Sequence, residues 1–386
     1  MRIIEKLLLC VLTFFCLSAC KEDPEEEIVP ETVERTIIMF FPWSNNLKPC
    51  FIQNINDFKQ VIRQYGLENE RYVVCIENNP GIVDIIELRP FSGNCLEENV
   101  EHYFDPNFTN SDGIADLLDR VYAKYPSHSY SMTVGCHGTA WVAAGAFTTR
   151  SAALTLDEVP QTRYIGGTSS VYQIEISTLR RGIQKSKIQK FDMILFDNCY
   201  MSSIEVAYEL KDVCSHIVAY PTEVMAYGFP YQISGKYLIG GNDYENICES
   251  FYRFYLNYEK PCGTISAINC VALDTLARFM KKLNQSVDTT VHVDVMSLQR
   301  FDGYDPVLFV DYSDYVYHLT DDTMMLGEFE NLMSVLIPYK RNTPNYFSTL
   351  GGLTPIEKYS GISTSEPCEH PAMSTYKQTS WYIATH

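Results

Sequence analysis

A cysteine and a histidine, each at the end of an apolar run, are the residues of this chain best suited to do chemistry. Cys199 follows Phe191-Asp-Met-Ile-Leu-Phe196, a run short enough to be a buried strand, and precedes a segment with helical spacing at Met201, Ile204 and Tyr208. Ser202 and Glu205 have the spacing of a capping box, so a helix is expected to start just behind the thiol. A free helix N-terminus there would favour the thiolate, the nucleophilic form. Seven of the eight His carry no local signature, but His137 ends a second strand, Ser129-Tyr-Ser-Met-Thr-Val-Gly-Cys136, and is followed by Gly138. A Gly after a His lets the backbone turn sharply and brings its N–H towards a polarised carbonyl. Carried on adjacent parallel strands, His137 and Cys199 would meet at one edge of a sheet, where open α/β sheets keep their chemistry.

The elements around these two residues alternate. Strands are expected at Thr36–Phe41, Arg71–Ile76, Ser129–Cys136, Phe191–Phe196, Ile217–Tyr220 and Thr264–Leu273. Helices are expected from Phe51 to Tyr65 with Gly66 as the stop, from a Ser111-Asp112 cap through Ala123, and over Asn242–Tyr258. Ile82–Leu88 and Glu98–Phe104 read as two smaller strands over the sheet. The expectation is an α/β fold: a mostly parallel six-stranded sheet with helices on both faces, spanning 35–283, followed by a smaller C-terminal subdomain over 284–386.

The chain has 386 residues, 46% hydrophobic, and a formal net charge of −18, so it can bury a full-sized core and is a poor ligand for phosphate backbones. It has no zinc-type Cys/His spacing, phosphate-binding glycine loop or dinucleotide fingerprint, and nucleic acid is not an expected partner. Residues 1–19 read as a signal peptide: Arg2 and Lys6 precede an apolar core from Leu7 to Ala19 that is too short to span a bilayer. Leu17-Ser-Ala-Cys20 is similar to the lipobox of bacterial lipoproteins, which makes Cys20 the expected lipidation site and the membrane an expected partner. The acidic run Lys21-Glu-Asp-Pro-Glu-Glu-Glu27 then reads as part of a solvated tether over 20–34. It is also similar to the acidic export tags of surface lipoproteins, so display on the outer membrane is expected. With Cys10 and Cys16 in the signal, eleven of the 13 Cys remain. Setting aside Cys20 and Cys199 leaves an odd number, and a dense disulfide scaffold is not expected.

A strand ending in His137-Gly138, a long insertion, and a strand ending in Asp197-Asn-Cys199 together resemble the clostripain family of cysteine peptidases, whose fold is caspase-like. Ile204-Glu-Val-Ala-Tyr-Glu-Leu210, Gly228-Phe-Pro-Tyr231 and Phe40-Phe-Pro-Trp-Ser-Asn-Asn-Leu47 resemble family segments in the family's order, and Ser360-Gly-Ile-Ser363 resembles a late element. Two positions depart: Asn198 stands where the family has a small residue, and Cys136 where it commonly has an acid. The resemblance implies an endopeptidase with Cys199 as nucleophile, His137 as acid and base, and the N–H groups of Gly138 and Cys199 as oxyanion donors. It also implies a preference for Arg or Lys before the cut, with Asp197 and, more distantly, Glu223 as pocket acids. Self-cleavage in the insertion, after Arg150 or Arg163, and Ca²⁺ binding are further implications, although no local ligand run marks a Ca²⁺ site. A silent surface lipoprotein that binds peptides or host proteins through the same cleft is the alternative.

Overall fold

The computed structural model describes residues 31–42, 46–143, 173–287 and 291–386. The signal peptide, Cys20, most of the acidic tether, Arg150 and Arg163 lie outside the described residues. Thr32–His386 forms one compact unit.

Its frame is a nine-stranded sheet in the order β10-β8-β7-β6-β5-β1-β2-β3-β4. The strands are β1 (Val33–Phe41), β2 (Glu70–Asn79), β3 (Ile82–Phe91), β4 (Asn94–Phe104), β5 (Ser127–Gly135), β6 (Phe191–Asp197), β7 (Cys214–Ala219), β8 (Thr264–Asn269) and β10 (Tyr339–Asn342). The five central strands, β7-β6-β5-β1-β2, are mutually parallel. Near-continuous apolar runs such as Phe191-Asp-Met-Ile-Leu-Phe196 suit strands covered on both faces: in β6 only Asp192 reaches solvent.

All six expected strands lie side by side in this sheet, and three more extend it to nine. β3 and β4 do not lie over the sheet; they form a hairpin that continues it antiparallel beyond β2. β10 adds an antiparallel strand beyond β8, itself antiparallel to β7. The boundary expected at 283/284 falls inside a helix, Leu273–Ser286, and the strand expected to reach Leu273 ends at Asn269.

Helices cover both faces. α1 (Lys48–Tyr65) packs with α5 (Tyr244–Leu256) through the turn at Tyr231–Ser234, while α2 (Ser111–Lys124), α3 (Ile176–Lys185), α4 (Ile204–Leu210) and α6 (Leu273–Ser286) follow one another on the opposite side. α1 stops at Gly66, which has φ 73°, a conformation that costs a glycine little. α2 is capped by Asn110, whose side chain accepts the Gly113 N–H, and not by the Ser-Asp pair after it. The chain beyond α6 supplies α7 (Thr323–Leu336) and three short strands, β9 (Val310–Asp311), β11 (Asn345–Ser348) and β12 (Gly352–Pro355). β13 (Ser363–Thr364) pairs with β9, and Ser363 bridges to Ser203, directly behind the nucleophile loop.

Among the described residues, no helix is long and apolar enough to cross a membrane. Of the ten cysteines among the described residues, all but Cys50 are buried.

Candidate active site

β5 and β6 are neighbours, and their last paired residues are Gly135 and Asp197. His137 and Cys199 each stand two positions beyond that rung, so both leave the same edge of the sheet. The chain passes from β1 to β2 on one side and later returns to β5 on the other, which puts a topological switch point between β1 and β5, next to the β5–β6 pair. The contact between the two loops is close. A methyl group on Gly138 would come within 2.8 Å of Cys199's neighbour Asn198 at Cβ and 3.2 Å of the Cys199 nitrogen. The two expected oxyanion donors therefore belong to one tight turn-on-turn contact. Ala140 (φ 53°) and Tyr200 (φ 63°), one in each loop, hold left-handed conformations that non-glycine residues adopt only where the surroundings fix them.

His137 is 3% exposed, and its Nε2 lies 3.0 Å from the Asn46 Oδ1, on the loop that follows β1. With Nε2 as the donor, Asn46 sets the plane of the imidazole. Behind the histidine, the Trp141 indole donates to the Ser365 Oγ at 2.9 Å and meets the Tyr376 ring edge-on.

Cys199 is 1% exposed, and the Val224 N–H points to its sulfur at 3.4 Å. The helix behind it departs from expectation. α4 begins at Ile204, with Ser203 and not Ser202 as its cap, so four residues separate the thiol from the first helical turn. Glu205 does not close a capping box onto Ser202; it accepts from the Ser203 and Thr364 hydroxyls, the Ser365 N–H and the Tyr376 hydroxyl. Charge on the sulfur is therefore supported locally by the Val224 amide, while the helix N-terminus stands four residues further on.

The two expected pocket acids have different surroundings. Asp197 is fully buried and accepts the Phe229 N–H at 2.8 Å and the Tyr220 hydroxyl at 3.3 Å. It thus ties the end of β6 to the Gly228–Tyr231 segment. Glu223 accepts from the Tyr200 hydroxyl, the Ser348 hydroxyl, and both the N–H and hydroxyl of Thr349. It fastens the residue after the nucleophile to the turn that follows β11. The Tyr200 ring is stacked on Phe309 at 4.7 Å, and burial holds its hydroxyl well above the ordinary tyrosine range.

Sequence reasoning missed Asn46 and Val224, because no local pattern announces a partner that arrives from a distant strand end. Among the described residues, no group of three or more His, Cys, Asp or Glu is placed to hold a metal ion.

A buried thiol and a buried histidine that meets an amide thus leave one edge of the sheet from adjacent parallel strands. The sequence model of the clostripain family matches residues 44–362. The chain belongs to the clostripain family. Among solved structures, it is similar to a secreted C11 cysteine protease from Bacteroides thetaiotaomicron, "iotapain", with 41% identity over 92% of this chain and 100% of that one and a TM-score of 0.84. A clostripain from Bacteroides thetaiotaomicron, solved with the peptide inhibitor BTN-VLTK-AOMK, is 46% identical over 58% of this chain and 99% of its own, with a TM-score of 0.56. An inactive zymogen C11 protease from Parabacteroides distasonis is 26% identical over 93% of this chain and all of its own, with a TM-score of 0.77. No curated protein matches the chain. Family membership and these relatives make the protein a cysteine-type peptidase.

Proposed function

We propose that the protein is a lipid-anchored, surface-displayed endopeptidase that cleaves after Arg or Lys through a His137–Cys199 dyad. The observation that carries this reading is the departure of both residues from adjacent parallel strands, two positions past the Gly135–Asp197 rung. Cys199 attacks the scissile carbonyl, and the N–H groups of Gly138 and Cys199 receive the developing oxyanion. His137 protonates the leaving amine and then activates the water that releases the acyl group.

A preference for basic residues draws on Asp197, whose carboxylate lies two residues before the nucleophile, and on the relative whose bound inhibitor carries Lys beside its reactive group. Glu223, engaged by four donors, is a support for Tyr200 in this reading and not a contact for substrate. Self-processing after Arg150 or Arg163 draws on the length of the insertion between the dyad residues and on the relative described as a zymogen. Anchoring through Cys20 and display at the surface of the outer membrane draw on Leu17-Ser-Ala-Cys20 and the acidic run after it.

The deciding experiment incubates purified wild-type, Cys199→Ala and His137→Ala protein with a peptide library and with a thiol-reactive peptidyl probe ending in Lys. Turnover and labelling should vanish with Cys199→Ala and fall by orders of magnitude with His137→Ala. Full turnover by Cys199→Ala overturns the mechanism, and a folded wild type that neither cleaves nor labels leaves only a binding role. A new amino terminus at Ser151 or Tyr164 in the wild type, absent from Cys199→Ala, establishes self-processing. Release of Cys20→Ser from membranes establishes the anchor, and a wholly soluble, unlipidated wild type refutes it.

A further inference from the structure

We propose that Asn198 is a positioning residue that fixes the reach between His137 and Cys199. The inference rests on the dyad assigned above and adds a role to a residue outside it. The main-chain ladder between β5 and β6 ends at Gly135 and Asp197, short of the two loops. Asn198 supplies the next rung from a side chain. Its Nδ2 donates to the Cys136 carbonyl at 2.9 Å and the His137 carbonyl at 3.3 Å, and it lies 3.0 Å from the Cys136 sulfur. The oxygens it grips belong to the histidine itself and to the residue before it. Because they are main-chain atoms, they fix where the His137 backbone stands whatever the neighbouring side chains do.

The orientation of the amide is settled by its neighbours. A flipped Asn198 would turn its oxygen towards two carbonyl oxygens, so the nitrogen must face them. The cost appears at the other end, where Asn198 Oδ1 is buried without a hydrogen-bond partner. The residue is 0% exposed, and a buried acceptor left unmade is unfavourable. An alanine would remove that oxygen, but it would also take this donor from the Cys136 and His137 carbonyls. Asn198 therefore gives up stability on one side of its amide while tying the two catalytic loops together on the other.

The tie matters because the chemistry is sensitive to distance: a misplacement of about 1 Å can cost roughly a hundredfold in rate. Gly138 rests on the same stem, since a methyl there would stand 2.8 Å from the Asn198 Cβ. The amide thus sits beneath the His137–Gly138 turn and beside the nucleophile, touching neither reacting atom.

The test compares wild type with Asn198→Ala and Asn198→Asp on the library peptide that the wild type cleaves fastest. Asn198→Ala should lower kcat tenfold or more with KM within twofold, in a protein that still unfolds cooperatively. Alkylation of Cys199 by iodoacetamide should lose its dependence on His137 and approach the pH profile of His137→Ala. Asn198→Asp keeps the shape but has no N–H to donate, and should fall at least as far. A kcat within twofold of wild type in Asn198→Ala overturns the proposal, and so does a parallel loss of kcat, KM and melting temperature. Full activity in Asn198→Asp also overturns it. If that variant does not fold, Asn198→Ala and its alkylation profile decide alone. Loss of all activity in Cys199→Ala would leave this question open to its own answer, so the two failures are distinguishable.

Discussion

The Cα of Gly138 lies against the main chain of Cys199 so closely that an added methyl would stand 2.5 Å from the Cys199 carbonyl oxygen. The obstacle is backbone, and it cannot swing aside as a side-chain tip would. Gly138→Ala should therefore push the histidine loop off the nucleophile loop and lower kcat/KM by about a hundredfold. The accompanying loss of stability should be about 1–3 kcal/mol, as for other overpacked sites. Progress curves and urea unfolding check both numbers, and activity within threefold of wild type would show that the contact is dispensable.

Asn46 tests the orientation of His137. The imidazole Nε2 faces the Asn46 oxygen at 3.0 Å. Asn46→Asp places a carboxylate there, which favours the imidazolium, so the limb of the pH–rate profile that follows His137 should move to higher pH by up to about one unit. Asn46 is exposed, and the shift should shrink as salt is added. Asn46→Ala should lower kcat several-fold without that shift. An unmoved profile in the Asp variant would remove Asn46 from the site.

Asp302 makes a prediction about pH and stability. Burial pushes its carboxyl up to about 7, against the pull of backbone N–H groups from Phe309, Tyr304 and Leu308. An unfolded Asp has released its proton by about pH 4, so between pH 4 and 7 the folded chain holds a proton that the unfolded chain lacks. Stability should then fall as pH rises through that window, by at most about 4 kcal/mol from this group. Burial also raises Glu205 and Asp311, which gives slopes of the same sign. Asp302→Asn should flatten the curve of urea midpoint against pH, and parallel curves for variant and wild type would contradict the assignment.

Glu223 should behave as a structural knot. Glu223→Gln loses a charged acceptor engaged by Tyr200, Ser348 and Thr349 and should cost about 2–4 kcal/mol. Tyr200→Phe removes only one of those donors and should cost about 1 kcal/mol. Denaturant titrations measure both, and a smaller loss for Glu223→Gln than for Tyr200→Phe would invert the account.

The six strands at the centre of the sheet were legible because apolar runs bounded by turns or helical spacing leave few alternatives. Their antiparallel companions were harder to place. β3 is buried at Val83, Asp84, Ile85 and Leu88 and exposed from Arg89 on, and such a mixed pattern does not say whether a hairpin extends an edge or lies across a face. β10 is four residues long and carries Lys340 and Arg341, too short and too polar for its strand to stand out. The proposed pair, His137 and Cys199, stood out because each follows an apolar strand and is marked by its neighbours. The first turn of α4 was misplaced by one residue, since Ser202 and Ser203 are both competent caps and only the fold chooses between them. Asn198 was visible as a departure from the family, but its hydrogen bonds join loops 61 and 62 positions apart. Periodicity cannot report contacts of that range.

The wall behind the dyad also sets an order in time. Trp141, four residues past His137, donates to Ser365, which is 224 positions later. Glu205 waits for Thr364, Ser365 and Tyr376, and Ser202 and Ser203 wait for Gly361 and Ser363. During synthesis, amino end first, His137 and Cys199 emerge long before the segment that braces their loops. A nascent chain can form the central parallel strands, but its dyad stays unbraced until the stretch around 361–376 has been delivered. Completion of the polypeptide thus acts as a clock on the birth of the active site.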